Sequence, residues 1–145
     1  MRINGTQMLP TFNSVITVLN KLKAADSKTH LDQWFGSILF NNTFVSRTSR
    51  TVLGTTVNIG GNYIVRIPKN ERYKPYDIWL KDTSQGFTLS VGDIVINGEI
   101  SETVITSSTV NQILQKYRPN AFVISAFKDN TGIVGLAEHY CIEGV

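Results

Sequence analysis

The residue types with the most chemical potential in this sequence are one cysteine, Cys141, and two histidines, His30 and His139. His139 and Cys141 lie two residues apart in a β-prone run, so their side chains would project from the same face of a strand. A zinc site needs more ligands than these two, and His30 falls in a distant polar turn. We therefore expect His139 and Cys141 to be structural residues, with no metal site.

Motifs for nucleophilic catalysis and phosphate binding are missing from the sequence. It has no G-x-S-x-G elbow, no P-loop, no EF-hand loop and no dinucleotide fingerprint. No serine or cysteine has a histidine and a carboxylate in a recognisable arrangement. These observations predict a protein that is not an enzyme and that needs no cofactor.

Three acidic residues, Asp93, Glu99 and Glu102, lie close together along the chain. Such a group could act as an acid and base pair or hold a hard cation. Carboxylates at strand ends are more often solvated edge residues that discourage strand addition. We expect the second role, in which the three residues form an acidic surface.

Basic residues and tyrosines alternate between positions 63 and 76 and form the best binding signature in the sequence. The basic residues are Arg66, Lys69, Arg72 and Lys74, and the aromatic ones are Tyr63, Tyr73 and Tyr76. On a β-barrel, such side chains could hold single-stranded nucleic acid. The alternative is a solvated loop beside aromatic residues of the core.

Charge is distributed unevenly along the chain. The formal net charge of +3, from 14 Lys and Arg against 11 Asp and Glu, attracts phosphate only weakly. Residues 1–74 contain ten basic and three acidic residues, a net charge of +7, whereas residues 75–145 contain four and eight, a net charge of −4. Two explanations stay open: chance, or opposing faces that complement each other between neighbouring copies.

Length and composition favour one β-rich domain. The chain has 145 residues, of which 41% are apolar and only 17% are charged, a low charged fraction for a soluble domain. We predict an N-terminal extension over residues 1–13 and a single domain over residues 14–145. No apolar run is long enough to predict a membrane span, and no signal peptide is expected.

The pattern of apolar and polar residues predicts the following elements. Strands are predicted over residues 14–22, 31–40, 63–68, 87–91, 94–97, 121–127 and 133–142, with a short strand over 76–80. Residues 41–51, together with glycines at positions 54, 60 and 61, predict an irregular loop with a short strand. Residues 69–77 predict a projecting loop, because they are polar and interrupted by Pro75.

One helix is predicted over residues 109–117, where apolar residues follow helical spacing. Thr109 and Gln112 have the spacing of a capping box, and Pro119 would end the helix. The elements together predict a mainly β fold with one short helix, a small antiparallel β-barrel or sandwich with long loops.

Four segments together resemble a known family: YIVRIPKN, IWLKDTSQGFTLSVGDIVINGEI, STVNQILQKY and AFVISAFKDNTG. The chain resembles, over about residues 14–140, the small head-to-tail connector proteins, such as head-closure or stopper proteins, of long-tailed phages and prophages of Gram-positive bacteria. The resemblance implies a structural protein of the virion neck, present in the host cytoplasm during assembly, that forms a ring between the portal region and the tail.

The resemblance also implies partners. These are other copies of the chain, six or twelve in a ring, together with portal or adaptor proteins, tail terminator or tube proteins, and DNA in the central channel. We expect the contacts to be made by Arg47, Arg50 and the basic residues Arg66, Lys69, Arg72 and Lys74, opposite an acidic face of Asp93, Glu99 and Glu102. Whether the ring is a stopper, a tail terminator or an adjacent layer stays open.

Two other classes of protein would need different surfaces. A barrel that binds single-stranded nucleic acid would expose Tyr63, Tyr73 and Tyr76 along one groove. A carbohydrate-binding module would expose Trp34 or Trp79 as a platform.

Overall fold

The computed structural model describes residues 2–3, 14–52, 55–102, 105–132 and 138–145. Its strands are β1 (Arg2–Ile3), β2 (Ser14–Leu22), β3 (Gln33–Val52), β4 (Thr55–Pro68), β5 (Ile94–Asn97), β6 (Ala121–Asn130) and β7 (His139–Gly144). Its helices are a single 3-10 turn (Ala24–Asp26), α1 (Tyr76–Trp79) and α2 (Val110–Tyr117). Of the predicted N-terminal extension, only β1 lies within the described residues, and it pairs in parallel with β3.

Six strands close into an antiparallel barrel. Around the wall the order is β3, β2, β5, β6, β7 and β4, and β4 pairs with β3 to complete the circle. The prediction of a mainly β fold with one short helix is confirmed, and of the two predicted architectures the barrel is the one observed. Closure pairs strands that would otherwise be exposed edges.

Apolar residues fill the inside of the barrel and one patch of its outer wall. In β2, Ile16 and Val18 belong to the interior cluster, whereas Leu19 belongs to a second cluster between the wall and α2. Helix α2 contributes Val110 and Ile113 to that second cluster. Burying a side chain of this size stabilises the fold by about 1.5 to 3 kcal/mol. Both faces of β2 are thus buried, one by the core and the other by the helix.

The predicted irregular loop over residues 41–51 is wrong, because β3 runs unbroken to Val52. This strand pairs with β2 as far as Thr43 and then with β4 from Phe44 onward. Asn42, at the change of partner, has a φ of 59°, a conformation that Asn tolerates better than most residues. Thr and Val favour an extended chain here, and pairing of β3 with β4 holds it despite the glycines in β4.

Beyond the barrel, β3 and β4 continue as a two-stranded ribbon. The pairing of β4 with β7 begins only at Tyr63, so residues 48–52 and 55–62 pair with each other alone among the described strands. We call these two segments the β-ribbon.

Two further predicted strands are also wrong. Residues 76–80 form α1 instead, which starts after Pro75 and has Asp77 in its first turn. Residues 87–91 form no strand; Phe87 makes one isolated bridge to Tyr73, and Phe87 and Leu89 fill the core. These apolar side chains are held by packing in the core, although the segment forms no regular ladder of hydrogen bonds with a neighbouring strand.

The closing elements follow the prediction with shifted boundaries. Helix α2 starts at Val110, and the predicted capping box is absent: the hydroxyl of Thr109 instead accepts a hydrogen bond from the Thr106 amide at 2.9 Å. Strand β6 extends to Asn130, and β7 starts at His139, while residues 133–137 of the predicted last strand lie outside the described residues. In the described part of the chain, no helix is long and apolar enough to span a bilayer.

Candidate interaction surface

The charge asymmetry of the sequence becomes an asymmetry of the barrel wall. Strands β2, β3 and β4 are neighbours and form one half of the wall, while β5, β6 and β7 form the other. The first half contains four basic residues and no acidic one: Lys21, Arg47, Arg50 and Arg66. The second half contains Lys128, Asp129 and Glu143. We call these halves the basic wall and the second wall.

Arg47 and Arg66 each lie beside an aromatic ring, on opposite faces of the sheet: Arg47 is paired with the interior residue Tyr63, whereas Arg66 faces outward between two interior residues of β4. The Arg47 guanidinium lies 5.4 Å from the centre of the Tyr63 ring, and that of Arg66 lies 5.2 Å from the centre of the Phe44 ring. Cation–π contacts of this kind hold a charged group in one orientation while it remains open to solvent. Arg50 lies in the β-ribbon, opposite Ile59.

The remaining basic residues lie in the predicted projecting loop, which the structure places between β4 and α1. Lys69 pairs with Glu138 across 3.3 Å, which ties the loop to the start of β7. The amide of exposed Arg72 donates to the Asn70 side chain at 2.9 Å, and that of Lys74 donates to the Phe87 carbonyl at 2.8 Å. The loop is therefore held by contacts with the start of β7, with Phe87 and within itself, and Arg72 lies on its outside.

The three tyrosines do not form an exposed platform. Tyr63 is 4% exposed, stacks on Phe122 with ring centres 4.7 Å apart and donates its hydroxyl to the Pro119 carbonyl. Tyr73 packs on Tyr140, and burial raises its pKa to about 12. Tyr76 is half-buried and donates its hydroxyl to the Asp26 carboxylate at 2.9 Å. The stacking groove that nucleic-acid binding required is thus missing from these residues.

The tryptophans also lack the form of a platform. Trp79 is 1% exposed and meets Phe35 edge to face at 5.6 Å. Trp34 is half-buried, and the Lys21 ammonium lies 5.6 Å from its ring centre.

The predicted acidic face is wrong for Asp93, which has no exposed surface at all. Glu102 is engaged with α2: its carboxylate accepts hydrogen bonds from Lys116 at 2.6 Å and from Tyr117 at 2.7 Å, and these bonds lower its pKa to about 2. Glu99 is exposed. No group of three or more His, Cys, Asp or Glu within the described ranges could hold a metal ion. The three carboxylates therefore do not act as one surface.

Asp93 is the polar residue whose role the sequence pattern misses. Its carboxylate accepts hydrogen bonds from the Lys21 amide at 2.9 Å, the Ser90 amide at 3.0 Å and the Asn20 side chain at 3.0 Å. Desolvation nevertheless dominates and raises the pKa of Asp93 to about 6. A Gly-Asp pair between two β-prone runs is typical of a solvated turn, so the local pattern gave no sign of this burial.

His139 and Cys141 lie on β7, both half-buried. The His139 ring nitrogen Nε2 is 3.2 Å from the Asn130 side-chain nitrogen. Cys141 lies opposite Arg66 of β4 and Lys128 of β6, and burial raises the pKa of its thiol despite these two cations. A protonated thiol at neutral pH is a weak nucleophile.

The fold and surface define a small closed β-barrel with a basic wall and a protruding β-ribbon. Residues 11–145 match the sequence profile of DUF6751, described as a family of unknown function, and the chain belongs to this family. No curated protein and no solved structure matches the chain.

Proposed function

We propose that this protein is a structural component of a phage neck, where copies assemble into a ring between the portal region and the tail. The single observation that carries the proposal is the division of the barrel into a basic wall and a second wall without excess positive charge. The resemblance of the four sequence segments to head-to-tail connector proteins supplies the location, the virion neck, and the host cytoplasm before assembly.

A ring of identical subunits joins two different surfaces of each copy, because the contact is head to tail. The basic wall of one subunit would meet the second wall of its neighbour. Charge complementarity of this kind favours the correct register and disfavours contact between two basic walls. The proposed ring has six or twelve copies, the numbers that the resemblance to connector proteins implies.

The β-ribbon is the element best suited to reach a neighbouring subunit or layer. An isolated two-stranded ribbon is marginally stable in water, and the outer edges of this one pair with no other described strand. Contact with a neighbouring copy, a portal or adaptor protein, or a tail terminator or tube protein would stabilise it. Arg47 at its base and Arg50 within it add positive charge, which also suits DNA in a central channel.

The proposal is tested by charge reversal on the ribbon. The variant R47E/R50E is compared with Lys28→Glu, which changes an exposed residue of the turn between β2 and β3. Circular dichroism first checks that both variants fold. Native mass spectrometry and electron microscopy, with purified protein alone and with the portal and tail proteins encoded beside it, then measure ring formation.

We expect R47E/R50E to abolish rings and Lys28→Glu to retain them. Rings that form equally well with R47E/R50E would refute the role of the ribbon. A gene neighbourhood of metabolic enzymes, without portal, capsid or tail genes, would overturn the proposal itself.

A second function, binding of single-stranded nucleic acid, keeps only its basic residues as support, since Tyr63 and Tyr73 pack in the interior. A gel shift with single-stranded DNA at low salt measures it directly. The neck proposal predicts no shift at physiological salt.

A further inference from the structure

A carboxylate buried without a cation is the most unusual electrostatic feature of this protein. Asp93 is 0% exposed, and in the part of the chain that the structure describes no ion pair includes it. Its partners are two backbone amides, the Asn20 side chain and, at 3.5 Å, the Ser90 hydroxyl, and none of them carries a positive charge. Buried charges are normally paired or neutralised, because water solvates them far better than a protein interior does.

The contacts of Asp93 join two parts of the chain that no strand ladder joins directly. Asn20 and Lys21 belong to β2, whereas Ser90 and Asp93 belong to the irregular segment of residues 87–93. Asn20 reinforces the link, since its side chain donates to the Thr88 carbonyl at 2.6 Å and accepts from the Thr88 amide at 3.3 Å. We call Asp93, Asn20 and the amides of Lys21 and Ser90 the carboxylate latch.

We propose that the carboxylate latch is a pH-sensitive device that holds the segment of residues 87–93 against β2 more firmly in mildly acidic solution than at neutral or alkaline pH. Protonation of Asp93 removes the uncompensated charge from the interior at the cost of weakening one N–H contact. The segment has no regular ladder: Phe87 makes one isolated bridge, Phe87 and Leu89 pack in the core, and the latch ties the segment to β2.

Other charged groups near the latch already have partners. On β2, the Lys21 ammonium pairs with Asp32 across 3.3 Å. From α1, the Tyr76 hydroxyl lies between the Lys23 amide and the Asp26 carboxylate, and burial raises the Tyr76 pKa, with smaller contributions from Asp26 and Asp93. From β6, only backbone groups bind the segment, with the Ile124 amide donating to the Asp93 carbonyl at 2.8 Å.

The size of the effect follows from the burial. The pKa of Asp93 is raised from an ordinary value of 3.8 to about 6. A group whose pKa is higher in the folded state favours that state fully below its unfolded pKa and loses this contribution as the pH rises through the folded pKa. Between pH 5 and pH 7.5 the equilibrium constant for closing the latch should fall about tenfold.

The experiment measures amide hydrogen exchange by NMR at pH 5 and pH 7.5, corrected for the intrinsic pH dependence of exchange. The reporters are the amides of Lys21 and Ser90, which donate to Asp93. We expect their protection factors to fall about tenfold at the higher pH in the wild-type protein. In Asp93→Asn, which cannot titrate, we expect this change to vanish, and in Glu99→Gln, which removes an exposed carboxylate, we expect it to persist.

A second measurement needs no variant and covers the case in which Asp93→Asn does not fold. The carboxyl carbon of Asp93 is followed by NMR through a pH titration of the wild-type protein. A midpoint near pH 6 supports the latch, and a midpoint near pH 4 overturns it. Protection factors that change equally in wild type and Asp93→Asn overturn it as well.

Discussion

Two buried threonines, Thr88 and Thr17, allow a matched test of how much a hydroxyl hydrogen bond contributes to the stability of this protein. Thr88 is 0% exposed, and its hydroxyl has no hydrogen-bond partner within the described part of the chain. Thr17 is 1% exposed, and its hydroxyl donates to the Gly98 carbonyl at 2.7 Å. Substituting valine for threonine preserves the shape of the side chain and replaces the hydroxyl with a methyl group, so the two positions differ mainly in the bond that is lost.

The expected changes have opposite signs. A hydroxyl buried without a partner costs about 1 to 3 kcal/mol, so Thr88→Val should raise the free energy of unfolding by about 1 kcal/mol or more. The Asn20 bonds to Thr88 involve only its backbone and remain in the variant. Thr17→Val loses a hydrogen bond and leaves the Gly98 carbonyl without this donor, so it should lower the free energy of unfolding by about 1 to 2 kcal/mol.

Urea unfolding at constant pH, followed by circular dichroism, measures both variants against wild type. The midpoint of Thr88→Val should move to higher urea and that of Thr17→Val to lower urea, with unchanged slopes. If Thr88→Val lost as much stability as Thr17→Val, the Thr88 hydroxyl would have a hydrogen-bond partner in solution. That result would refute the assignment of Thr88 as a buried hydroxyl without a partner beside Asn20.

Two further predictions concern the helix and the aromatic residues. Ile113 is 4% exposed and lies on the side of α2 that packs on the barrel, so Ile113→Ala should lower the free energy of unfolding by about 3 kcal/mol. Gln112→Ala, on the exposed side of the same helix, should change the free energy of unfolding by less than about 0.5 kcal/mol. Equal losses in urea unfolding would contradict the packing of α2 on the barrel. Trp34 fluorescence is measured in Trp79→Phe, and Trp79 fluorescence in Trp34→Phe. Acrylamide should quench Trp34 more strongly than Trp79, and the reverse order would contradict the burial of Trp79.

The elements that could be predicted from sequence are those whose burial leaves a local pattern of apolar residues. In β2, alternate residues face the core and α2, and both surfaces select apolar side chains. In α2, the spacing of Val110 and Ile113 marks the side that packs on the barrel. Periodicity records which side of an element is buried, so it finds such elements without knowledge of their partners.

The elements that could not be predicted depend on distant partners. The β-ribbon contains Thr, Ser, Asn and Gly with little apolar alternation, and its strand character follows from pairing between β3 and β4. Asp93 lies 73 positions from Asn20, and the pairing of β2 with β5, which sets Leu19 opposite Ile94, brings the two together. The predicted acidic face included Asp93 because the residue type gives its charge, whereas its burial depends on residues far away in the sequence.

The order of the strands decides whether an uneven distribution of charge along the chain becomes an uneven distribution around the barrel. A net charge of +7 in residues 1–74 has no spatial meaning by itself, since strands from the two parts of a chain can alternate around a barrel. Here β2, β3 and β4 are contiguous, so the basic residues of these strands share one half of the wall. Had β4 paired between β5 and β6, the same residues would be spread around the circumference and no head-to-tail charge complementarity would follow. A polarised wall, which repeated copies would need in order to meet in one direction, therefore depends on the order of the strands as much as on the charges.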